Sequence, residues 1–327
     1  MRAARVNEYG PVENIRVEDI PTPAPGPGDV LVRVTVGGVN FADVGMSTGA
    51  ARRTPPPFSP GVEAAGTVEA LGEGVTGFAA GERVVYWNGM PSAFAEYAVV
   101  PAWRLVKVPA SVTDEVAVAV ALMVQGTTAH YLATDSHALK AGETCLIWAA
   151  AGGVGHLLTQ IAVAKGVRVV AIVGGEEKTR FARRMGASVA IDRRERDVAE
   201  AVKEATDGLG CDAVYDSVGA ATIETSLLAT KRRGTCVLYG GASGPVTTVD
   251  SSLMARAGSI FFTRRGLADH LCDAEEINGR MADLFAWHLA GSLTPQFGGE
   301  YMLAEVPKAL AEIASGQTTG KLLIHVR

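Results

Sequence analysis

The chain has 327 residues, of which 48% are hydrophobic and 20% charged, and its formal net charge is −5. This length allows two domains, and the composition is typical of a well-packed globular protein. The mild, evenly spread charge excludes the basic stripe of a nucleic-acid-binding protein and the basic helix of a membrane-surface protein. We expect no apolar run of the roughly 18–20 residues that span a membrane, no signal peptide, and reduced cysteines, as in a cytoplasmic protein.

The first third of the chain has the composition of a β-rich domain. Residues 1–120 are rich in Gly, Pro and Val, and proline-rich loops interrupt them. Short segments of alternating polarity predict strands at 30–36, 64–71, 83–87 and 93–100. This pattern favours an all-β, barrel-like domain.

From about residue 123 the pattern changes to alternating strands and helices. Strands are predicted at 144–149, 167–173, 188–191, 212–216, 234–240 and 258–262. Six strands with right-handed crossovers predict a doubly wound parallel sheet. After two helices, near 273–290 and 304–315, a last strand at 322–326 is expected to rejoin the first domain.

A turn of small residues, Ala150-Ala151-Gly152-Gly153-Val154-Gly155, separates the first of these strands from its helix. It matches the G-x-G-x-x-G dinucleotide pattern with alanine in the first glycine position. Gly152 lets the main chain approach a pyrophosphate, and Gly155 lets helix and strand pack closely. The helix N-terminus then offers N–H groups and the positive end of its dipole to the phosphates. The sequence therefore predicts a dinucleotide site, with an ordinary tight turn as the alternative.

The residues after the second strand indicate which nucleotide binds. An NAD site carries an acid there, roughly 20 residues beyond the glycines, whereas this chain has Val173. Lys178, Arg193 and Arg194 follow the second and third strands, where a 2′-phosphate would lie. This pattern favours NADPH over NADH, although these cations could also be plain surface charges. Glu176 and Glu177 argue mildly against NADPH binding, because their negative charges would repel a phosphate. Alternatively, they only begin the next helix, where acidic residues suit the helix dipole.

Taken together, these features resemble the medium-chain dehydrogenase/reductases, in their zinc-free quinone oxidoreductase (zeta-crystallin-like) branch. The resemblance spans the chain and rests on Gly38–Asp43, Pro60–Gly66, Ala79–Val84, Ala149–Gly155, Tyr215–Gly219 and Thr263-Arg264. It implies a Rossmann NADPH-binding domain at 123–263, inserted in a GroES-like β-rich catalytic domain at 1–122 and 264–327. The cleft between the domains would hold nicotinamide and substrate.

Zinc-dependent members of the superfamily bind catalytic zinc through a Cys and a His. Asn40 and Val62 stand in those places here, and residues 88–104 contain no cysteine for a structural zinc. A valine cannot ligate zinc, and asparagine is a poor ligand. Without a Lewis acid to stabilise an alkoxide, an activated acceptor such as a quinone or an enone is the expected substrate.

The resemblance also implies the site residues. Asn40, Asp43 and Gln125 are the candidate catalytic residues, with helix or strand capping as the alternative for Asn40 and Asp43. Gly45 and Ser47 replace the Tyr and Arg that other members carry after Asp43, which enlarges the pocket. The candidate cofactor-binding residues are Thr128, Ala151, Gly152, Gly153, Val154, Gly174, Lys178, Arg193, Ser217, Tyr239, Gly240, Phe262, Thr263, Arg264 and Lys321.

The predicted activity is NADPH-dependent hydride transfer to a quinone or an α,β-unsaturated carbonyl compound, without zinc. The alternatives are an enoyl-thioester reductase of a polyketide-type pathway and a catalytically idle, crystallin-like NADPH-binding protein. The resemblance further implies a homodimer that joins through the last Rossmann strand, with Ile260 and Phe261 close to their counterparts. No proton donor is assigned: His130 or His156 could serve, but each is more readily explained as a surface or partly satisfied histidine.

Overall fold

The computed structural model describes residues 1–52, 54–112 and 116–327. Its strands are β1 (Arg2–Arg5), β2 (Arg16–Asp19), β3 (Asp29–Val39), β4 (Glu63–Leu71), β5 (Arg83–Trp87), β6 (Tyr97–Pro101), β7 (Leu105–Lys107), β8 (Thr144–Trp148), β9 (Arg168–Val173), β10 (Val189–Asp192), β11 (Cys211–Asp216), β12 (Thr230–Leu238), β13 (Phe261–Arg264), β14 (Phe297–Met302) and β15 (Lys321–His325). Its helices are α1 (Phe41–Thr48), α2 (Val116–Ala121), α3 (Thr127–Tyr131), α4 (Gly153–Ala164), α5 (Glu176–Arg184), α6 (Val198–Ala205), α7 (Ile223–Ala229), α8 (Ser251–Arg256), α9 (Ala274–Leu289) and α10 (Val306–Ser315).

The first compact unit comprises Met1–Val124, Leu271–Leu289 and Pro295–Arg327. Its main sheet has the order β14-β15-β3-β4-β5-β7, and β6 pairs with β3. Along β3 the valines at 30, 32 and 34 are buried while Arg33 is exposed, as expected for one face against a core. Strand β15 pairs antiparallel with β3, which confirms that the last strand rejoins the first domain.

The second unit comprises Gln125–His270 and Ala290–Thr294. Its six strands lie in the order β10-β9-β8-β11-β12-β13, and every neighbouring pair is parallel. The nearly continuous burial of β8, β9 and β11 is what strands covered on both faces require. The predicted doubly wound parallel sheet is therefore confirmed. The order reverses between β8 and β11, and such a switch point opens a crevice at the carboxyl ends of the strands.

Several details differ from the sequence predictions, among them the strands predicted at 93–100 and 234–240, which are Tyr97–Pro101 and Thr230–Leu238. The last Rossmann strand begins at Phe261 rather than at 258, because Gly258 and Ser259 have positive φ values of 106° and 57° that break an extended chain. Ile260 precedes the strand and is buried in the core of its own unit. The limits of the two units lie a few residues from the predicted domain limits, and residues 290–294 group with the second unit.

The expectation of no apolar run of membrane length was wrong for one segment. Among the described residues, the helix Val116–Ser136 is long and apolar enough to cross a membrane by length and composition. It contains π-helical turns at Leu122–Gly126 and Leu132–Ser136. Because 78% of its most apolar window is buried within the protein, it fits the core helix of a globular fold.

Candidate active site

The glycine turn lies at the carboxyl end of β8 and opens α4. The Gly152 N–H donates to the Ala149 carbonyl at 2.8 Å, and the His156 N–H donates to the Gly152 carbonyl at 3.0 Å. A Cβ on Gly155 would lie 2.4 Å from the Ala149 oxygen and 2.7 Å from Ala150 Cα. No side chain fits there, so this glycine is what allows helix and strand to pack so closely. Gly152 is the N-cap of α4, whose first N–H groups have no partner inside the helix and suit an anion.

The predicted cofactor residues of the second unit gather at the carboxyl ends of its strands. Ala151 to Val154 follow β8, Gly174 follows β9, and Arg193 follows β10. Ser217 follows β11, Tyr239 and Gly240 follow β12, and Phe262 to Arg264 form most of β13. Thr128 is buried in α3. In an open parallel sheet this is the edge at which nucleotides bind.

Three cations surround the turn between β9 and α5. A Cβ on Gly174 would lie 3.3 Å from Arg194 Nε and 3.4 Å from Arg193 Nε, so both guanidinium groups lie over this turn. Partial burial, with the charges of Arg194 and Arg193, lowers the pKa of Lys178. Three mutually repelling cations are a suitable partner for a dianionic phosphate.

Asp192 organises that turn, and sequence reasoning missed it. Its Oδ1 accepts the N–H groups of Gly175 and Arg194, each at 2.9 Å, and these hydrogen bonds lower its pKa. The carboxylate thus ties the start of α5 to the loop that carries the arginines. An acid that ends the third strand, just before two arginines, was the available sequence signal.

Ser217, Tyr239 and Gly240 form one contact group between β11 and β12. Burial raises the pKa of the Tyr239 hydroxyl, which is hydrogen-bonded to the Ser217 side chain. A Cβ on Gly240 would lie 2.3 Å from the Ser217 carbonyl oxygen, so only glycine fits. Behind them, the fully buried Asp216 accepts hydrogen bonds from Val218 N–H and from the hydroxyls of Thr222 and Ser226. These contacts fix the shape of the loop that follows β11.

Gln125 is buried in the π-helical turn Leu122–Gly126 and packs on the glycine turn. A Cβ on Gly153 would lie 2.1 Å from Gln125 Oε1, so Gly153 leaves the space that the carboxamide occupies. The two candidate histidines are both buried. His156 Nδ1 lies 2.9 Å from the Gly152 carbonyl oxygen, which fits a structural histidine.

In the first unit, Asn40 and Asp43 form the start of α1. The Asn40 N–H donates to Asp43 Oδ2 at 2.8 Å, and the Asp43 N–H donates to the Asn40 carbonyl at 3.0 Å. The capping contacts considered as the alternative are therefore present. Asp43 has no exposed surface, and burial raises its pKa to about 7. Among the described residues, Asp43 Oδ1 and Ser47 Oγ, one helical turn apart, have no hydrogen-bond partner.

A buried ion pair lies beside Asn40, and the sequence analysis did not anticipate it. The Glu63 carboxylate and the Lys321 ammonium contact each other with side-chain exposures of 0%. Asn40 Nδ2 donates to Glu63 Oε1 at 2.7 Å, and Lys321 Nζ lies 3.1 Å from the Val39 carbonyl oxygen and 3.4 Å from Asn40 Oδ1. Gly38 makes room for the pair, because a Cβ there would lie 2.6 Å from Glu63 Oε1 and 2.7 Å from Lys321 Cε. No local pattern signals a pairing across 258 residues.

The two positions that hold zinc in the dehydrogenases carry no competent ligand. Val62 is buried and apolar, and the Asn40 carboxamide is bonded to Glu63 and Lys321. These residues do not fit a zinc site.

Comparisons with known proteins agree with this geometry. A family model described as an alcohol dehydrogenase GroES-like domain matches residues 26–110, and one described as a zinc-binding dehydrogenase matches residues 153–286. A quinone oxidoreductase of Pseudomonas aeruginosa is 39% identical over 316 residues, covering 97% of both chains. A 2-haloacrylate reductase of a Burkholderia species is 37% identical and covers 98% of both. The structure of Escherichia coli quinone oxidoreductase complexed with NADPH has a TM-score of 0.96 at 31% identity, covering 100% of both chains.

The fold and the nucleotide turn define a medium-chain dehydrogenase/reductase with a GroES-like and a Rossmann unit. Within that superfamily the chain belongs to the zinc-free quinone oxidoreductase branch. The name of the second family model refers to zinc, whereas Asn40 and Val62 stand in the zinc positions of this chain and offer no competent ligand.

Proposed function

We propose that this protein is an oxidoreductase that uses NADPH to reduce quinones or α,β-unsaturated carbonyl compounds. The observation that carries the proposal is a combination of three features: the glycine turn before α4, the cations Lys178, Arg193 and Arg194 around the turn between β9 and α5, and Asn40 and Val62 in the zinc positions. The Pseudomonas quinone oxidoreductase, the Burkholderia 2-haloacrylate reductase and the NADPH-bound Escherichia coli structure support it. All three relatives match the chain over nearly its full length.

The residues present fit NADPH. The first turn of α4 would bind the pyrophosphate through main-chain N–H groups, and Lys178 with the two arginines would bind the 2′-phosphate. The other residues that would hold the cofactor, towards its nicotinamide end, are Ser217, Tyr239, Gly240, Thr128 and the residues 262–264. Bound NADPH supplies the hydride. The carboxamides of Asn40 and of Gln125 are each able to orient a reacting group by hydrogen bonds. A substrate already activated by its own carbonyl groups needs no metal.

Turnover with defined acceptors tests this function. Oxidation of NADPH is followed with a panel of quinones, a panel of enones and a panel of enoyl thioesters. We expect the quinones or enones to have the highest kcat/KM. A clear preference for thioesters would establish the enoyl-reductase alternative, and NADPH binding without any turnover would establish the idle, crystallin-like alternative.

Metal independence is a separate test of the same site. Prolonged chelation is expected to leave kcat unchanged, and elemental analysis is expected to find no stoichiometric zinc, because Val62 has no ligand atom. A zinc ion whose removal abolishes turnover would contradict the proposed chemistry.

We further propose a homodimer through β13, in a protein that works in the cytoplasm. Strand β13 is the edge of the six-stranded sheet, and Phe261 on it is 65% exposed, whereas Ile260 is buried within its own unit. Joining two such edges would cover this apolar ring. Light scattering should show a dimer that Phe261→Arg dissociates. Leu209→Arg, which changes a residue of similar exposure away from the edge, should leave the dimer intact; a dimer that survives Phe261→Arg places the interface elsewhere.

A further inference from the structure

The buried pair Glu63–Lys321 has more contacts than an ion pair alone would need. Glu63 Oε1 contacts both the Lys321 ammonium and Asn40 Nδ2, while Glu63 Oε2 accepts the Val124 N–H at 2.8 Å. One carboxylate therefore joins the end of β3, the start of β15 and the helix that continues into Gln125. Burying two charges is costly unless every partner is satisfied, and here each oxygen of the carboxylate is used.

The ammonium of Lys321 is equally occupied. It has three hydrogens, and three acceptors surround it: a Glu63 oxygen, the Val39 carbonyl and Asn40 Oδ1. Its side chain has no exposed surface. This geometry suits an ammonium that holds the Asn40 carboxamide better than one that binds a cofactor directly.

The pair dictates how the Asn40 carboxamide is oriented. A carboxylate only accepts hydrogen bonds and an ammonium only donates them, so the amide nitrogen must face Glu63 and the amide oxygen must face Lys321. Reversing the carboxamide would place its oxygen against Glu63 Oε1, at the 2.7 Å now spanned by the hydrogen bond, and its nitrogen against the ammonium. An uncharged pair would not enforce one orientation.

We propose that Glu63 and Lys321 are positioning residues of the reduction, which hold the Asn40 carboxamide in a single orientation. This inference rests on the proposed function, in which Asn40 orients the reacting groups. It differs from a purely structural role, because a structural pair could be replaced by neutral residues without loss of catalysis.

Three variants test the proposal in the full-length protein. Glu63→Gln and Lys321→Met each leave one buried charge unpaired, and the double variant removes both charges while keeping similar side-chain volumes. We expect lower thermal stability in both single variants and recovery of most of it in the double variant. We expect kcat to stay at least tenfold below the parent in all three, with the dissociation constant of NADPH within twofold. Glu82→Gln, which breaks the exposed pair with Lys107 in the same unit, should change none of these values.

Two results would overturn the proposal. If the double variant regains the parent kcat together with its stability, the pair is only structural. If Lys321→Met weakens NADPH binding in proportion to its loss of kcat, the lysine binds the cofactor instead.

A second measurement does not depend on turnover. The chain has five asparagines, so the Asn40 side-chain amide can be assigned by NMR after selective nitrogen-15 labelling, using Asn40→Asp. We expect one slowly exchanging pair of amide hydrogens in the parent and fast exchange in the double variant. Slow exchange in both would refute the positioning role. If the parent shows this signal but reduces no acceptor, the proposed function is wrong while the orienting role of the pair stands.

Discussion

The glycine turn before α4 and the cluster around Asn40 are both rigid, but for opposite reasons. The turn is built from main-chain groups within seven residues, Ala149 to Gly155, and the atoms nearest to a Cβ on Gly155 are main-chain atoms of Ala149 and Ala150. The cluster is built from charged and polar side chains that come from three separate places in the chain: Asn40 and Asp43 at the start of α1, Glu63 in β4 and Lys321 in β15. A single methyl group disrupts the first, whereas a change of charge disrupts the second.

The two regions also respond differently to pH. The residues of the turn itself carry no titratable side chain. The cluster holds two carboxylates and one ammonium with almost no solvent access. If Asp43 is protonated, the charges of Glu63 and Lys321 balance; if it is ionised, one negative charge is left uncompensated. Proton binding is therefore part of how the cluster is stabilised.

The largest expected effect comes from Asp43→Asn. Burial, with a smaller contribution from Glu63, raises the pKa of Asp43 to about 7, against lowering by the Asn40 N–H and Lys321. From about pH 4 to pH 7 the folded protein holds a proton that the unfolded chain has lost, so the parent loses stability as the pH rises through this range, by up to about 1.4 kcal/mol per pH unit. Asparagine removes this loss and can still accept the Asn40 N–H.

Unfolding free energies of the two proteins at several pH values check this prediction. The unfolding free energy of the Asp43→Asn variant, relative to that of the parent, should increase steadily between pH 4 and pH 7, by about 2–4 kcal/mol in total. Asp250→Asn is a suitable control, because hydrogen bonds from Ser252 lower the pKa of that exposed carboxyl. Asp250→Asn should have the opposite effect on the pH dependence of stability. The parent loses the stabilisation from the Asp250 carboxylate as the pH falls through the acid range, and the variant has no such loss. If the difference in unfolding free energy between Asp43→Asn and the parent is the same at every pH, Asp43 is not a buried acid that is protonated in the folded protein.

The next largest effect is expected from Gly155→Ala in the turn. The added Cβ would meet the Ala149 oxygen at 2.4 Å and Ala150 Cα at 2.7 Å, and main-chain atoms cannot move aside without separating α4 from β8. We expect about 1–3 kcal/mol of lost stability, which is typical of overpacking, and weaker NADPH binding.

Gly279→Ala is the matched control for that substitution. Gly279 lies in α9, and no heavy atom lies within 4 Å of a Cβ placed there. Alanine should therefore stabilise the protein by about 0.5–1 kcal/mol through helix propensity. Equal effects at the two glycines would mean that the close approach at Gly155 is unimportant.

The difference between the regions explains which parts could be predicted from the sequence. A strand, a glycine turn and a helix are local features, so the segment 144–155 could be predicted from the sequence together with the roles of Gly152 and Gly155. The parallel sheet could be predicted from the alternation of strands and helices. The break before β13 was not predicted because a positive φ at a serine, here 57° at Ser259, has no signal in the local sequence pattern. The pair Glu63–Lys321 could not be predicted, since nothing local links a glutamate in one strand to a lysine in another strand 258 residues later.

The smallest expected effect concerns the choice of cofactor, and it tests whether the charges around the turn between β9 and α5 act independently of the glycine turn. Val173 ends β9, where an acid would bind the ribose hydroxyls of NADH, and Arg193 donates its N–H to the Val173 carbonyl at 3.0 Å. We expect the parent to bind NADPH at least tenfold more tightly than NADH, about 1.4 kcal/mol. Val173→Asp should reduce that ratio, because a carboxylate there repels the 2′-phosphate and neutralises the neighbouring arginines. Fluorescence titration with both cofactors measures the ratio, and Val170→Ala, in the interior of the same strand, serves as a control that should leave it unchanged. Equal affinities of the parent for the two cofactors would show that Lys178, Arg193 and Arg194 do not recognise the phosphate.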